Sequence, residues 1–476
     1  MLKTNTNKKM INKVLFCAAE AAPLAKVGGL ADVVGSLPQA LKTQGVDARI
    51  LMPAHGSISL SGWKAKKINS FVVRIGNKRE NVNIWHIKVK STNYYLLQNK
   101  TYFKGKVYEG DNADKYLFFA RAALKALELL PFKPQIIHAH DFHAASIITE
   151  LATLPRSERP GLVLTIHNLQ HQGWTEEKTL VKFGFSVENF KLLNRSKENK
   201  GWINLLAAGI KSADKITTVS PTYAKEILTA KYGYGLEKLL KSRRQDLVGI
   251  LNGIDVKVYN PENDKKLTQV YSSKGVLTGK QFNKKAIRSY FNLEDNNLPL
   301  FVFIARFSNQ KGLDLFKAED LLRLQQKFPF QLIILGSGEE KYEQMILAVN
   351  KSLPDNMRTM IAFDETLAHN LYAAADYFLV PSRFEPCGLT QMMAMRYGTV
   401  PIVRATGGLK DTVVNKKTGL VFNQYTSKAF SNTLRQALEI YYNQPALYKK
   451  MISNGLKQDW SWQASAPKYK RLYQEI

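Results

Sequence analysis

Short apolar runs alternate with helix-period segments along most of the 476-residue chain, and this alternation restricts the fold more than any other feature. A run at 14–19 leads through Lys26-Val27-Gly28-Gly29 into Leu30, Val33, Val34, Leu37 and Leu41, which share one helix face. Residues 49–52 predict the next strand, 112–130 a long helix, 144–151 a shorter one, and 135–139, 162–166 and 215–219 three more strands. Between 57 and 100 the segments FVVRI and VNIWHIKV predict strands of a local sheet or hairpin. Strands and helices in this order predict a parallel sheet covered on both faces.

After LNGID and Asn260-Pro261 the pattern restarts. A charged, weakly patterned stretch to about 297 precedes FVFIAR, QLIILGSGE, YFLVPSR and VPIVRATGG, each a strand followed by a helical pattern. GGLADVV (28–34) and GGLKDTV (407–413) echo one another, so two similar α/β halves are expected. Their boundary is predicted at 256–262, with a deep cleft between the sheets as the ligand site. The length agrees, since roughly 100–200 residues per domain gives two or three domains.

Composition narrows the function classes. The formal charge of +29 raises nucleic acid, an acidic membrane surface or a phosphate-bearing substrate. The excess is scattered lysine, clustered locally at Lys64/Lys66/Lys67, Lys284/Lys285 and Lys468/Lys470, with no arginine stripe, RNA-binding signature or zinc-finger spacing. A solvated basic surface and no specific nucleic-acid partner are therefore expected. No apolar run approaches the roughly 18 residues of a membrane span. The lysine- and alanine-rich start is leader-like, but Glu20 interrupts it. Two cysteines, Cys17 and Cys387, without metal spacing, fit a cytoplasmic location.

Several constellations are able to carry chemistry. The run at 377–380 ends in Pro381-Ser382, and Arg383, Glu385, Pro386 and Gly388 lead into a helix predicted over 389–397. Pro386 fixes its own φ and pushes Glu385 toward an extended conformation, which presents the carboxylate at a strand-to-helix corner. Open α/β sheets bind ligands at such corners, although a solvated loop glutamate is the alternative. Lys26, Gly28 and Gly29 stand where a strand gives way to a helix, so backbone N–H groups and a lysine charge suit a phosphate there; a plain tight turn is equally open. Gly336-Ser337-Gly338 is a weaker case of the same kind. Arg306 and Lys311 flank a loop at the end of a strand, where two cations suit a diphosphate. His138, His140, His143, His167 and His171, with Asp141, raise a metal reading, but their spacing matches no zinc motif and no DxD is present. No metal and no cofactor are expected, and Lys26, Arg306 and Lys311 are the cations available to a departing diphosphate.

Together, KVGGLADVVGSLPQAL, IIHAHDFHAA, TIHNLQHQG, ADKITTVSPTYAKEI, YGYGLEKLL, GILNGID, ARFSNQKGLDL, SRFEPCGLTQMMAMRYGTVPIVRATGGLKDTV and DWSWQASA resemble the bacterial glycogen synthases and plant starch synthases, in order from about 14 to 473. The resemblance implies an α/β protein of GT-B type, with two Rossmann-like domains (1–258 on the acceptor side, 259–459 binding the nucleotide sugar) and a segment at 460–476 crossing back to the first. It implies a retaining glucosyltransferase moving glucose from ADP-glucose to the non-reducing end of an α-1,4-glucan. Glu385, His167, Arg306 and Lys311 are implied as catalytic residues. Lys26, Gly28, Gly29, Asp32, Phe363, Gly388, Leu389 and Thr390 are implied to bind the donor, together with Arg306, Lys311 and Glu385. Position 393, where similar enzymes carry a second acid, is Met393, and Phe363 stands where some relatives have tyrosine beside the adenine. A catalytically silent glucan-binding protein and a nucleic-acid-binding protein are the alternative classes.

Overall fold

The computed structural model describes residues 11–109, 112–191 and 200–476, so the lysines at the leader-like start fall largely outside the described residues. The chain divides into two compact units, Met1–Gly253 with Trp462–Ile476, and Ile254–Ser461. The sequence reading set the division at 258 and 460, slightly later at the first crossing and slightly earlier at the second.

The strands of the first unit are β1 (Lys13–Cys17), β2 (Asp47–Pro53), β3 (Lys66–Ile75), β4 (Lys78–Val89), β5 (Thr92–Gln98), β6 (Ile136–His140), β7 (Gly161–Ile166), β8 (Trp174–Glu176), β9 (Trp202–Asn204), β10 (Lys215–Thr218) and β11 (Leu247–Gly249). Nine of them form one sheet in the order β11-β10-β7-β6-β1-β2-β5-β4-β3, while β8 and β9 form a separate ribbon. β6 and β7 are buried along their whole length, which is why they read as unbroken apolar runs rather than alternating ones. The segment at 57–100 differs from the expected local hairpin. β5 pairs in parallel with β2, β4 adds antiparallel to β5 and β3 antiparallel to β4, so the hairpin extends the main sheet. Tyr94, Tyr95, Leu96 and Leu97 of β5 are all buried, and that two-sided burial makes β5 a continuation of the core.

The helix Gly29–Thr43 follows β1 with Leu30, Val33, Val34, Leu37 and Leu41 buried, the face the periodicity predicted. The C-terminal helix Trp462–Gln474 belongs to this unit. Its Tyr473 hydroxyl lies 2.8 Å from His138 Nδ1, and Lys470 Nζ donates to the Gln44 carbonyl at 2.7 Å.

The second unit has six strands, β12 (Leu300–Ile304), β13 (Gln331–Gly336), β14 (Met357–Ile361), β15 (Tyr377–Val380), β16 (Val400–Arg404) and β17 (Leu420–Phe422). All pairings are parallel, in the order β14-β13-β12-β15-β16-β17. Numbered within the unit, that is the 3-2-1-4-5-6 order of a dinucleotide-binding sheet. β14 and β17 escaped the sequence reading because one is half-exposed and polar and the other spans three residues.

The lysine cluster at 284/285 is not wholly a solvated surface. Lys284, on the helix Val276–Tyr290, is buried with its Nζ 2.5 Å from Asp376 Oδ2, and Lys280 on the same helix is buried among the carbonyls of Tyr372, Ala373 and Tyr397 and the Thr399 hydroxyl. Burial pushes the Lys280 ammonium down to about 7. Among the described residues no helix is long and apolar enough to cross a membrane.

Candidate active site

In the second unit the strand order reverses between β12 and β15, and the crevice at the carboxyl ends of such a pair is where open α/β sheets bind ligands. β12 runs out into Arg306 and Lys311, and β15 into Glu385. The two loops interlock. Gln310 Nε2 donates to the Phe384 carbonyl at 3.2 Å, the Arg383 N–H donates to the Gln310 carbonyl at 2.8 Å, and Gly312, at φ 79°, lies so close to Pro381 that a Cβ would stand 2.2 Å from its carbonyl oxygen.

Glu385 is buried in this corner. Lys311 Nζ lies 2.6 Å from its Oε2 and the Ser382 hydroxyl donates to the same oxygen at 3.0 Å, which leaves Oε1 without a hydrogen-bond partner among the described residues. Arg404 Nε donates to the Ser382 carbonyl at 2.7 Å and a second guanidinium nitrogen to that of Arg383. The Gly408 N–H donates to the Glu385 carbonyl at 3.1 Å, and Cβ atoms at Gly407 and Gly408 would strike the carbonyls of Glu385 and Cys387. The second diglycine therefore lets one loop back closely against another. Gly336 and Gly338 do the same against Ala305 and Phe307, which accounts for that pair of glycines by packing alone.

Around the corner, Gly388 adopts φ 71°, and Leu389 and Thr390 open the helix Thr390–Arg396, one residue inside the predicted start. Arg306 is exposed and makes no hydrogen bond or ion pair among the described residues; the Lys341 hydrogen bond, and to a lesser degree the Arg306 charge, hold the Glu339 carboxyl below the usual range. Phe363, in the loop after β14, is 87% exposed. An aromatic ring so open at a strand end is available for stacking.

In the first unit the order reverses between β1 and β6. The loop after β1 carries Lys26, Gly28 and Gly29, and Lys26 Nζ pairs with Asp32 Oδ1 at 2.8 Å. Here the structure changes the phosphate reading. Glu20 Oε2 accepts the N–H groups of Val27, at 2.5 Å, and Gly28, at 3.3 Å, while Tyr108 donates its hydroxyl to Oε1 at 3.0 Å. The Gly28 N–H is committed to an internal carboxylate, and the positive charge of this loop lies on Lys26. Burial pushes Glu20 up from 4.5 to about 7, against the opposing hydrogen bonds. Its only sequence signal is a carboxylate interrupting an apolar run.

β6 ends in His140, and Asp141 opens the helix that follows. Asp141 sits at φ 57°, a left-handed conformation costly for a side chain, and Oδ1 accepts the His167 N–H at 2.7 Å. Burial pushes its carboxyl to about 7. His140 Nδ1 and His167 Nε2 are 2.9 Å apart, and burial lowers His138 and His167 to about 3 and His140 well below its usual value. Among the described residues no group of three or more His, Cys, Asp or Glu is arranged to hold a metal; His138, His140 and His167 hydrogen-bond to neighbouring side chains instead. Sequence reading missed Glu20, Asp141 and Arg404 as shapers of these loops.

Comparison with known proteins covers the same two units. The family described as the starch synthase catalytic domain matches residues 13–242, and glycosyl transferases group 1 matches residues 285–458. The chain is 38% identical over 479 residues to a glycogen synthase of Geobacillus stearothermophilus, with 98% of both chains covered. It is 39% identical over 483 residues to that of Geotalea daltonii, covering 98% of this chain and 99% of that one. The catalytic domain of starch synthase IV from Arabidopsis thaliana, solved with ADP and acarbose, matches with a TM-score of 0.89 at 31% identity over 98% of this chain and 99% of that one. A sucrose-phosphate synthase from Thermosynechococcus elongatus shares the fold, with a TM-score of 0.62 at 19% identity, covering 98% of this chain and 99% of that one.

Proposed function

Since this chain belongs to the glycogen synthase family of glycosyltransferases, we propose that it moves glucose from ADP-glucose to the non-reducing end of an α-1,4-glucan, with retention of configuration. The observation that carries this reading is the pairing of Lys311 with Glu385 at the reversal of the second sheet, with Arg306 exposed on the same loop. That arrangement supports a reading in which the cations serve a departing diphosphate and the Glu385 Oε1 serves sugar hydroxyls.

In this reading Arg306 and Lys311 take the charge that grows on the diphosphate as the glycosidic bond breaks. Lys26 adds a third cation. Glu385 orients the glucose through its hydroxyls, His167 contacts the transferred sugar, and Asp32, Gly28 and Gly29 border it. Gly388, Leu389 and Thr390 shape the donor pocket, and Phe363 stacks on the base. Met393 is buried and apolar, so Glu385 acts by positioning rather than as one of a carboxylate pair. The partners are ADP-glucose and the glucan, without a membrane or a specific nucleic acid, and the proposed location is the cytoplasm.

The test is to incubate the purified protein with glycogen and either ADP-glucose or UDP-glucose, with and without excess EDTA, and to measure the nucleotide released. A higher kcat/KM with ADP-glucose, unchanged by EDTA, is expected. Preference for UDP-glucose would overturn the donor assignment, and release of neither nucleotide the transfer itself.

A further inference from the structure

His140 and His167 meet ring to ring with Nδ1 of one 2.9 Å from Nε2 of the other. Neutral imidazole carries one proton, so a contact this short needs one ring to donate and the other to accept. The other nitrogen of His140, Nε2, is buried and has no hydrogen-bonding partner among the described residues. Were His167 the donor, His140 would carry its own proton on that Nε2, as a buried N–H with nothing to receive it. Buried donors without partners are rarer than under-satisfied acceptors, and leaving one costs its desolvation. The arrangement in which His140 Nδ1–H donates to His167 Nε2 leaves only a lone pair unmet.

We propose that His140 is a positioning residue that fixes His167 as the Nδ1–H tautomer, so that His167 meets its ligand as a hydrogen-bond donor to an oxygen. His167 Nδ1 makes no hydrogen bond among the described residues, while its backbone N–H is tied to Asp141 Oδ1 at 2.7 Å, so the main chain is pinned, one ring nitrogen meets His140 and the other is open. His140 is itself wedged. It stacks on His138 with centroids 4.4 Å apart and lies 5.1 Å from the Phe16 ring. His138 in turn is gripped by the Tyr473 hydroxyl at 2.8 Å and the Thr165 hydroxyl at 2.6 Å. Burial keeps these rings neutral, which the tautomer assignment requires. The ordering of His167 thus runs back through His140 and His138 to the C-terminal helix. The catalytic part of the inference rests on the proposed contact between His167 and the donor sugar.

The test is ¹⁵N NMR of the full chain labelled at histidine, with resonances assigned by single substitutions. The expected spectrum shows His167 protonated at Nδ1 and unprotonated at Nε2; the opposite tautomer would overturn the proposal. His140→Phe keeps the ring stack and removes the donor, and it should release His167 to a mixture of tautomers. It should lower kcat about tenfold, the scale of one hydrogen bond, with a smaller change in KM for ADP-glucose. His140→Asn, whose amide N–H reaches the same place, should restore most of both. An unaltered tautomer in a folded His140→Phe variant would overturn the positioning role, and if that variant does not fold the spectrum of the parent protein decides. A lost tautomer with unchanged turnover would support the His140 assignment and overturn the contact of His167 with the sugar.

Discussion

Lys311 Nζ and Glu385 Oε2 stand 2.6 Å apart where the second sheet reverses its strand order, with the carboxylate buried and the ammonium half-exposed. The pair holds a cation in the place proposed for the diphosphate and leaves Glu385 one oxygen for its proposed contact with the sugar. A group fixed before the reaction begins stabilises developing charge without reorganising.

Glu385→Gln keeps the hydrogen bond from Ser382 and removes the charge that holds Lys311. The variant is expected to melt like the parent and to lose activity on the order of a hundredfold, the cost of misplacing a reacting centre by about 1 Å. Parental turnover in that variant would reduce Glu385 to a corner residue.

Arg306→Ala and Lys311→Ala are expected to lower kcat more than they raise KM for the donor, each by about 2–4 kcal/mol. Both act on one diphosphate, so the double variant should lose less than the two single losses combined. Steady-state kinetics decide this. Normal kcat with only KM raised would mean that these residues hold the donor and do nothing for the leaving group.

Stability should respond to pH in two opposed ways. Burial lowers His55 to about 4 and His138 and His167 to about 3, with His140 and His143 also well below 6.5. Below 6.5 the unfolded chain binds protons these rings refuse, so the protein is expected to lose stability on acidification from 6.5. Glu20 runs the other way. Between 4.5 and about 7 the folded chain keeps a proton that the unfolded chain has released, so its contribution falls as pH rises through that window. Glu20→Gln should therefore be more stable than the parent at about pH 8, with the difference vanishing toward about pH 4.5. Urea melts across that range measure both, and a constant difference would refute the Glu20 part.

Lys284→Met should destabilise the second unit by about 3–5 kcal/mol, because it strands a buried carboxylate. Asp376 Oδ2 would keep the Leu300 N–H at 2.8 Å, and Oδ1 the Tyr448 hydroxyl at 3.0 Å, but would lose its only ion-pair partner among the described residues. Denaturant unfolding of the variant tests it, and a midpoint equal to the parent's would place Lys284 with the surface lysines.

The buried strands were legible because an apolar run records burial locally: β6, β7, β12, β13, β15 and β16 all announced themselves, as did the inward face of the helix Gly29–Thr43. The loops bearing Lys26, Arg306, Lys311 and Glu385 were legible because glycine, proline and charge at a strand end are local as well. What the sequence by itself determined was therefore the two-fold α/β plan, the membership of the family and the positions of the proposed chemistry. The tertiary structure alone decided which groups meet. Nothing local showed that Lys311 and Glu385 pair, that the Gly28 N–H, open to a phosphate or a plain turn, is taken by Glu20, or that Lys284 leaves the surface to meet Asp376. Charge is visible in a sequence, but its partner lies wherever strand order and loop packing deliver it, and those depend on contacts between residues far apart in the chain.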